Sequence, residues 1–404
     1  MMKKHTFIAG LALVAVTLTG CSTGGGGAVA DDEPIRIGAS LPLTGPLAAF
    51  GDLIQTGYQE LVDDVNADGG VTINGAARTI ELVVRDSKSE PDTVAEQSRT
   101  LVLNDGVVGL LGSVSPPLTI PASNVAERQQ VPFVTSLTPL QAWKGANTEG
   151  WTYAWNFFFD ELQMTDLQFK ASDLVDTNKK IALFTDNEED GLIMGGIWQD
   201  KAASLGYEIA YHAEFPVGTT DYSSFIADAQ SSGADILIAQ MIPPDAFALW
   251  KQMKALKFDP KVAFCEKCAT QSAWVGALGD VAEGTSVTDF YQPSDDPDAA
   301  RLIAKFSGKY GNNPDLSTLI IAYSAAKVLV DAIQRAGSVD PEAINTAIGE
   351  TNGLYPLGFQ IQFADDHTFA VKASTVQWQG PNAVRVYPQG DGSSPLQSPV
   401  AGLK

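Results

Sequence analysis

The sequence predicts an α/β protein of two similar lobes, each a parallel sheet covered by helices on both faces. Three observations carry that expectation. Short apolar runs alternate with amphipathic helical stretches through most of the chain. The alternation comes as two sets of similar size, one before and one after an aromatic stretch around 151–159. Of 404 residues, about 370 remain after the leading segment, too many for one small core and suited to two.

The leading segment is the most specific passage. Lys3 and Lys4 form a basic start, residues 7–18 are apolar, and Leu18-Thr19-Gly20-Cys21 places small residues before a cysteine. This order resembles the lipobox of bacterial lipoproteins, in which the leader (1–20) is removed and the new N-terminal cysteine is acylated. An ordinary signal peptide that happens to contain a cysteine is the alternative; the apolar run is short for a transmembrane helix. Residues 21–33, with Gly24 to Gly27 and Asp31-Asp32-Glu33, cannot bury apolar surface and read as a flexible tether.

From Pro34 the elements follow in order. Residues 35–41 form a buried strand ending in the turn Pro42-Leu43-Thr44-Gly45-Pro46. Leu53, Ile54, Gly57, Tyr58, Leu61, Val62 and Val65 recur at helical spacing until Asp68-Gly69-Gly70. Strands at 79–84, 107–111 and 131–135 alternate with helices at 91–104 and 120–128. The second set has strands at 180–184, 207–215, 236–240 and 262–264, with helices at 193–205, 222–230 and 246–256. A tail follows: a strand at 281–290, helices at 298–310, 316–335 and 341–348, and a strand pair at 359–363 and 368–377 turning at Asp365-Asp366. From Pro381 onward the chain is expected to fray. Past the leader, no stretch is read as a membrane span.

Composition excludes several classes of function. A net charge of −22 repels nucleic acid and anionic lipid, so an anionic ligand must be held by local donors. The sequence carries no Gly-x-Ser-x-Gly elbow, His-Glu-x-x-His helix, phosphate loop or dinucleotide fingerprint. No catalytic residue, cofactor or metal is therefore assigned, and the protein is read as not an enzyme. The acidic run 186–191 lacks the alternating ligands of a calcium loop and reads as a helix start. Cys265 and Cys268 in Cys-Glu-Lys-Cys are open between a local disulfide or inert thiols, free thiols near a binding site, and metal or redox chemistry.

In open α/β sheets, ligands bind beyond the carboxyl ends of the strands. Three loops stand there: 41–51; Gly112-Ser113-Val114-Ser115-Pro116-Pro117; and Thr135-Ser136-Leu137-Thr138-Pro139. Hydroxyls and free N–H groups at two adjacent strand ends suit a carboxylate, although each of these residues taken singly also fits a helix cap. Glu266, at another strand end, has the chemistry to accept from a ligand ammonium, or is one more surface acid. The aromatics at Trp143, Trp151, Tyr153, Trp155 and Phe157 to Phe159 suit core and hinge packing, with one or two rings available to wall a cleft.

The order of motifs resembles the type I periplasmic binding proteins, in particular the branched-chain amino acid receptors of ABC importers. The motifs are Ile35-Arg36-Ile37-Gly38 through Leu43-Thr44-Gly45-Pro46, Gly57, Asn66-Ala67-Asp68-Gly69-Gly70, Val83-Val84-Arg85-Asp86-Ser87 before Pro91, the run from Gly109 to Ser115, Pro132-Phe133-Val134, and Ala282-Glu283-Gly284. The resemblance implies two lobes joined by a three-strand hinge, with crossovers near Trp155, Thr288 and Pro356. The first lobe would comprise 34–155 and 288–356, and the second 156–287 and 357–395. It implies that Ser113, Val114 and Ser115, with Ser136, Leu137 and Thr138, hold a ligand carboxylate, and that Glu266 holds its ammonium.

The chain also departs from the family pattern. Pro116-Pro117-Leu118 lengthens the serine loop, Asp190 stands where relatives carry a tyrosine, and Ile242 lies at another usual aromatic position, leaving Trp155 as a candidate wall. The expected function is capture of a small carboxylate-bearing solute, an amino acid or close analogue, by an exported monomer. That monomer is anchored at Cys21 and delivers to an ABC permease. A ligand-sensing receptor, or the same transport role with an aromatic acid, amide or short peptide, is the alternative.

Overall fold

The computed structural model describes residues 33–270, 273–289, 297–310, 315–356 and 358–404. Two main sheets organise it. The first holds six parallel strands in the spatial order Thr368–Ala370, Ala154–Phe158, Phe133–Thr135, Gly109–Leu111, Ile35–Leu41, Ile80–Asp86. Ile35, Ile37, Ala39 and Leu41 are all buried, the continuous apolar run expected of a parallel strand covered on both faces. The second sheet runs Asn382–Tyr387, Ser374–Gln379, Thr285–Asp289, Val262–Glu266, Ile236–Gln240, Lys180–Asp186, Glu208–Phe215. Its last five strands are parallel, and the first two join antiparallel at one edge.

Helix packing explains the longest apolar segment. Helix Leu316–Ala336 is long and apolar enough to cross a membrane, yet it is mostly buried and packs along helix Ala48–Ala67. The two backbones meet at Gly57, where a Cβ would lie 2.5 Å from the Leu319 carbonyl oxygen. This is a core helix of the first lobe.

Three connections link the sheets, and one of them lies well away from its expected position. Strand Ala154–Phe158 lies wholly in the first sheet, so the chain crosses after Phe158, just past Trp155. Strand Thr285–Asp289 lies wholly in the second, so the return follows Asp289. The third crossing falls between Ala370 and Ser374, well past Pro356, because Thr368–Ala370 adds to the edge of the first sheet beside Ala154–Phe158. Ile361, Phe363 and Val371 accordingly belong to the first lobe's core. The expected strand pair across Asp365-Asp366 is replaced by two separate pairings: Phe359–Gln362 joins Asn352–Tyr355, and Ser374–Gln379 joins Thr285–Asp289.

The C-terminal segment is ordered, against expectation. Asn382–Tyr387 forms an edge strand, and Val400 and Leu403 are buried in the second lobe's core. A small hairpin, Val71–Ile73 with Ala76–Arg78, turns on Asn74-Gly75. Both turn residues have positive φ, the arrangement that favours Asn-Gly in two-residue hairpin turns.

Candidate functional site

The carboxyl ends of both sheets meet at a cleft of about 380 Å³. Its first-lobe wall is built by two loops that share an unusual backbone. Ser115 opens helix Ser115–Gln129 with φ +60°, and Leu137 follows strand Phe133–Thr135 with φ +69°. Left-handed conformations at non-glycine residues are uncommon and persist where their surroundings fix them. Here the Ser115 N–H donates to the Leu137 carbonyl at 3.0 Å, tying the loops together. Gly112 is required at the turn, since a Cβ there would meet Thr135 Oγ1 at 2.1 Å.

The expected first-lobe residues divide into two groups. Val114, Ser115 and Leu137 line the cleft. The hydroxyls of Ser113, Ser115 and Ser136 are buried with no hydrogen-bond partner among the described residues, an arrangement that costs free energy unless something else pairs with them. Thr138 instead has a structural part: its hydroxyl donates to Thr119 Oγ1 at 2.7 Å, and its carbonyl accepts from Asn156 Nδ2 at 2.9 Å. Pro116 and Pro117 do not lengthen the loop. They occupy the first turn of the helix, where the missing N–H groups cost little.

Glu266 ends strand Val262–Glu266 on the opposite wall. Its Oε1 accepts from Gln168 Nε2 at 2.7 Å and from the Thr288 hydroxyl at 3.0 Å, and the Thr288 N–H reaches both oxygens at 3.1 and 3.2 Å. Oε2 is thus the less committed oxygen. Burial pushes this carboxyl up to about 7, against the opposing pull of the Gln168 and Thr288 hydrogen bonds. Asp315, capping helix Leu316–Ala336 at the cleft, is likewise raised to about 7 by burial.

The residue after Glu266 escaped sequence reasoning. Lys267 is buried at the cleft wall, 3.0 Å from Asp190 and 3.3 Å from Glu188. Burial alone would lower its ammonium pKa; Asp190, Asp186 and Glu188 together raise it above the usual value. Asp186 is pushed up to about 7, by burial first and by its acidic neighbours, with Lys267 opposing. The oxygens of Asp186, Glu188 and Asp190 lie within 4.8 Å of one another, close enough for a metal site. The Lys267 ammonium supplies the positive charge that such a group of acids needs. As expected, the acidic run starts a helix, Glu189–Ser204.

Asp190 lines the cleft, and Gln240 Nε2 donates to it at 3.0 Å. Two expected wall residues lie elsewhere. Trp155 stacks on His367, with ring centroids 3.5 Å apart, and donates to Asn345 Oδ1 at 2.7 Å, inside the first lobe. Ile242 precedes helix Pro243–Leu256 and packs into the first lobe's apolar cluster, where the lobes touch. Aromatic walls come instead from Phe50, Phe158, Phe159 and Trp378. Cys265 and Cys268 are joined in a disulfide. Cys21 lies outside the described residues.

A family model described as periplasmic binding protein matches residues 34–383. The chain belongs to this family. Over 435 aligned residues it is 26% identical to Leu/Ile/Val-binding protein homolog 7 of Brucella abortus (strain 2308), covering 98% of this chain and all of that one. Among solved structures it is similar to LivJ of Streptococcus pneumoniae, the branched-chain amino acid transporter substrate-binding protein in complex with isoleucine. That pair has a TM-score of 0.75 and 22% identity, covering 87% of this chain and 98% of the other. An ABC-transporter solute-binding protein from R. palustris in complex with benzoate gives a TM-score of 0.74 at 19% identity, covering 87% and 95%. The chain is thus a binding protein of the periplasmic class, not an enzyme, and its family places it outside the cytoplasm.

Proposed function

We propose that the cleft captures a small solute bearing both a carboxylate and an ammonium, an amino acid or close analogue, for delivery to an ABC permease. One observation carries the reading: Ser115, whose buried hydroxyl has no partner among the described residues, lines one wall of a cleft whose other wall holds a buried carboxyl with a less committed oxygen, and the likewise unpartnered hydroxyls of Ser113 and Ser136 belong to the same two strand-end loops. A carboxylate on the first wall would give Ser115 and its neighbours the acceptor they lack. An ammonium on the second would give Glu266 a reason to ionise. Neither pairing demands a net charge from the ligand, in keeping with an acidic protein that attracts no anions at long range.

The relatives support the carboxylate half of this reading, since isoleucine and benzoate share that group. Contacts from both lobes would favour the closed arrangement over an open one, shifting a population that already exists. Acylation of Cys21 would hold the protein beside its permease. The test is native mass spectrometry of the purified protein, releasing and identifying any retained solute. An α-amino acid or near relative is the expected species; a retained solute without a carboxylate would overturn the reading.

A further inference from the structure

Only two residues, Glu266 and Lys267, lie between the bonded cysteines Cys265 and Cys268, and both line the cleft. Glu266 still holds strand register, its Cα paired with that of Gln240. At Lys267 the backbone turns over, with φ +65°, a left-handed conformation uncommon for a residue that carries a side chain. The Ala269 N–H closes the turn onto the Cys265 carbonyl at 3.2 Å, and Trp378 Nε1 donates to the Ala269 carbonyl at 2.8 Å. This reversal lets the Lys267 ammonium reach Asp190 and Glu188 at the start of a neighbouring helix.

The bridge is badly placed for a global role. Stabilisation through the unfolded chain grows with the size of the loop closed, and this loop spans three positions. Both cysteines are buried, so the bond pins no surface segment. What it does constrain is the turn that carries Glu266 and Lys267 at the cleft.

We propose that the Cys265–Cys268 disulfide is a positioning element of the binding site: it fixes the Glu266–Lys267 turn at the cleft wall instead of holding the lobe together. This rests on reading the cleft as the ligand site. Without the bond, Lys267 is free to relax to negative φ, withdrawing its ammonium from Asp186, Glu188 and Asp190 and changing the direction of Glu266.

The test compares the full-length exported protein with its C265A/C268A variant. Lysines are acetylated by an N-hydroxysuccinimide ester and the labelled sites mapped by peptide mass spectrometry. Lys267, with a side chain 7% exposed, should label slowly in the parent and on the order of tenfold faster in the variant through local opening. The exposed Lys144 and Lys179 should label alike in both, and the thermal transition should stay cooperative. Reducing the folded parent with a phosphine should reproduce the faster labelling, and reoxidation should reverse it.

In parallel, titration with L-isoleucine should show about tenfold weaker binding in the variant. If the parent takes up neither L-isoleucine nor any other amino acid, the amino-acid reading fails, while the labelling still decides the positioning role. Lys267 equally protected in both proteins would overturn the proposal. Loss of the cooperative transition in the variant would also overturn it, by making the bond a staple of the lobe.

Discussion

Glu266→Gln separates the proposed recognition role from a structural one. The amide oxygen can take over the partners of Oε1, namely Gln168 Nε2 and the Thr288 hydroxyl and N–H. The amide nitrogen then replaces Oε2, the oxygen available to a ligand ammonium, and cannot accept from it. A hydrogen bond to a charged group contributes about 1.5–3 kcal/mol, so affinity for an amino acid should fall roughly 10- to 150-fold. Affinity for the des-amino acid should hardly change.

The unliganded protein should behave differently. Burial raises the Glu266 carboxyl from its ordinary 4.5 to about 7. Its contribution to stability is therefore fully present below the unfolded value and lost as pH rises through about 7. At pH 8 the variant, which carries no charge to bury, should melt no lower than the parent. Amino-acid affinity of the parent should weaken by up to about tenfold per pH unit below 7, because Glu266 must lose its proton to pair, and the variant should lack this slope. Isothermal titration with an amino acid and its des-amino analogue, at pH 5.5 and 8, reads the binding effects, and thermal melts at pH 8 read the stability. Equal losses for both ligands would refute the assignment, as would an unchanged affinity for the amino acid.

Three further outcomes follow from the same geometry. Methyl esterification of the ligand should cost at least about 100-fold in affinity, the lower bound for two charge-assisted hydrogen bonds; titration checks it. Lys267→Met leaves buried acids without their cation and should destabilise by about 3–5 kcal/mol at pH 8. That loss should shrink as pH falls toward 7, because without Lys267, which holds its carboxyl down, Asp186 takes up a proton at a higher pH than in the parent, which urea melts at two pH values would follow. Trp155→Ala should cost about 3–5 kcal/mol of stability through the lost packing on His367 and Phe363, while ligand affinity of the folded protein stays the same.

The two-lobed fold was legible because buried parallel strands leave continuous apolar runs, as at 35–41 and 236–240, with amphipathic helices between them. Hydroxyl-bearing loops that run into proline likewise marked the strand ends at Ser113 and Ser136. The crossovers were less legible: Thr368–Ala370 is a three-residue strand whose partner, Ala154–Phe158, lies some two hundred positions away, and no local period encodes such a pairing. Trp155 was misplaced for a related reason, since its stacking partner His367 arrives on the same distant segment. Lys267 was invisible as a site residue because its partners are set by tertiary approach, 79 positions apart for Glu188. One usable signal was present: an acidic helix start and a lone lysine, each following the carboxyl end of a strand of the same sheet. Asn74-Gly75 was a hairpin signal left unread.

The central claim is that one solute spans the two walls, carboxylate on the serine loops and ammonium on Glu266. The most direct measurement is a crystal structure of the protein with the solute it retains through purification. The account requires carboxylate oxygens within about 3 Å of donors on the Ser115 and Leu137 loops, and a ligand nitrogen equally close to Glu266 Oε2. A carboxylate seated against Lys267, with Glu266 bonded only to Gln168 and Thr288, would contradict it.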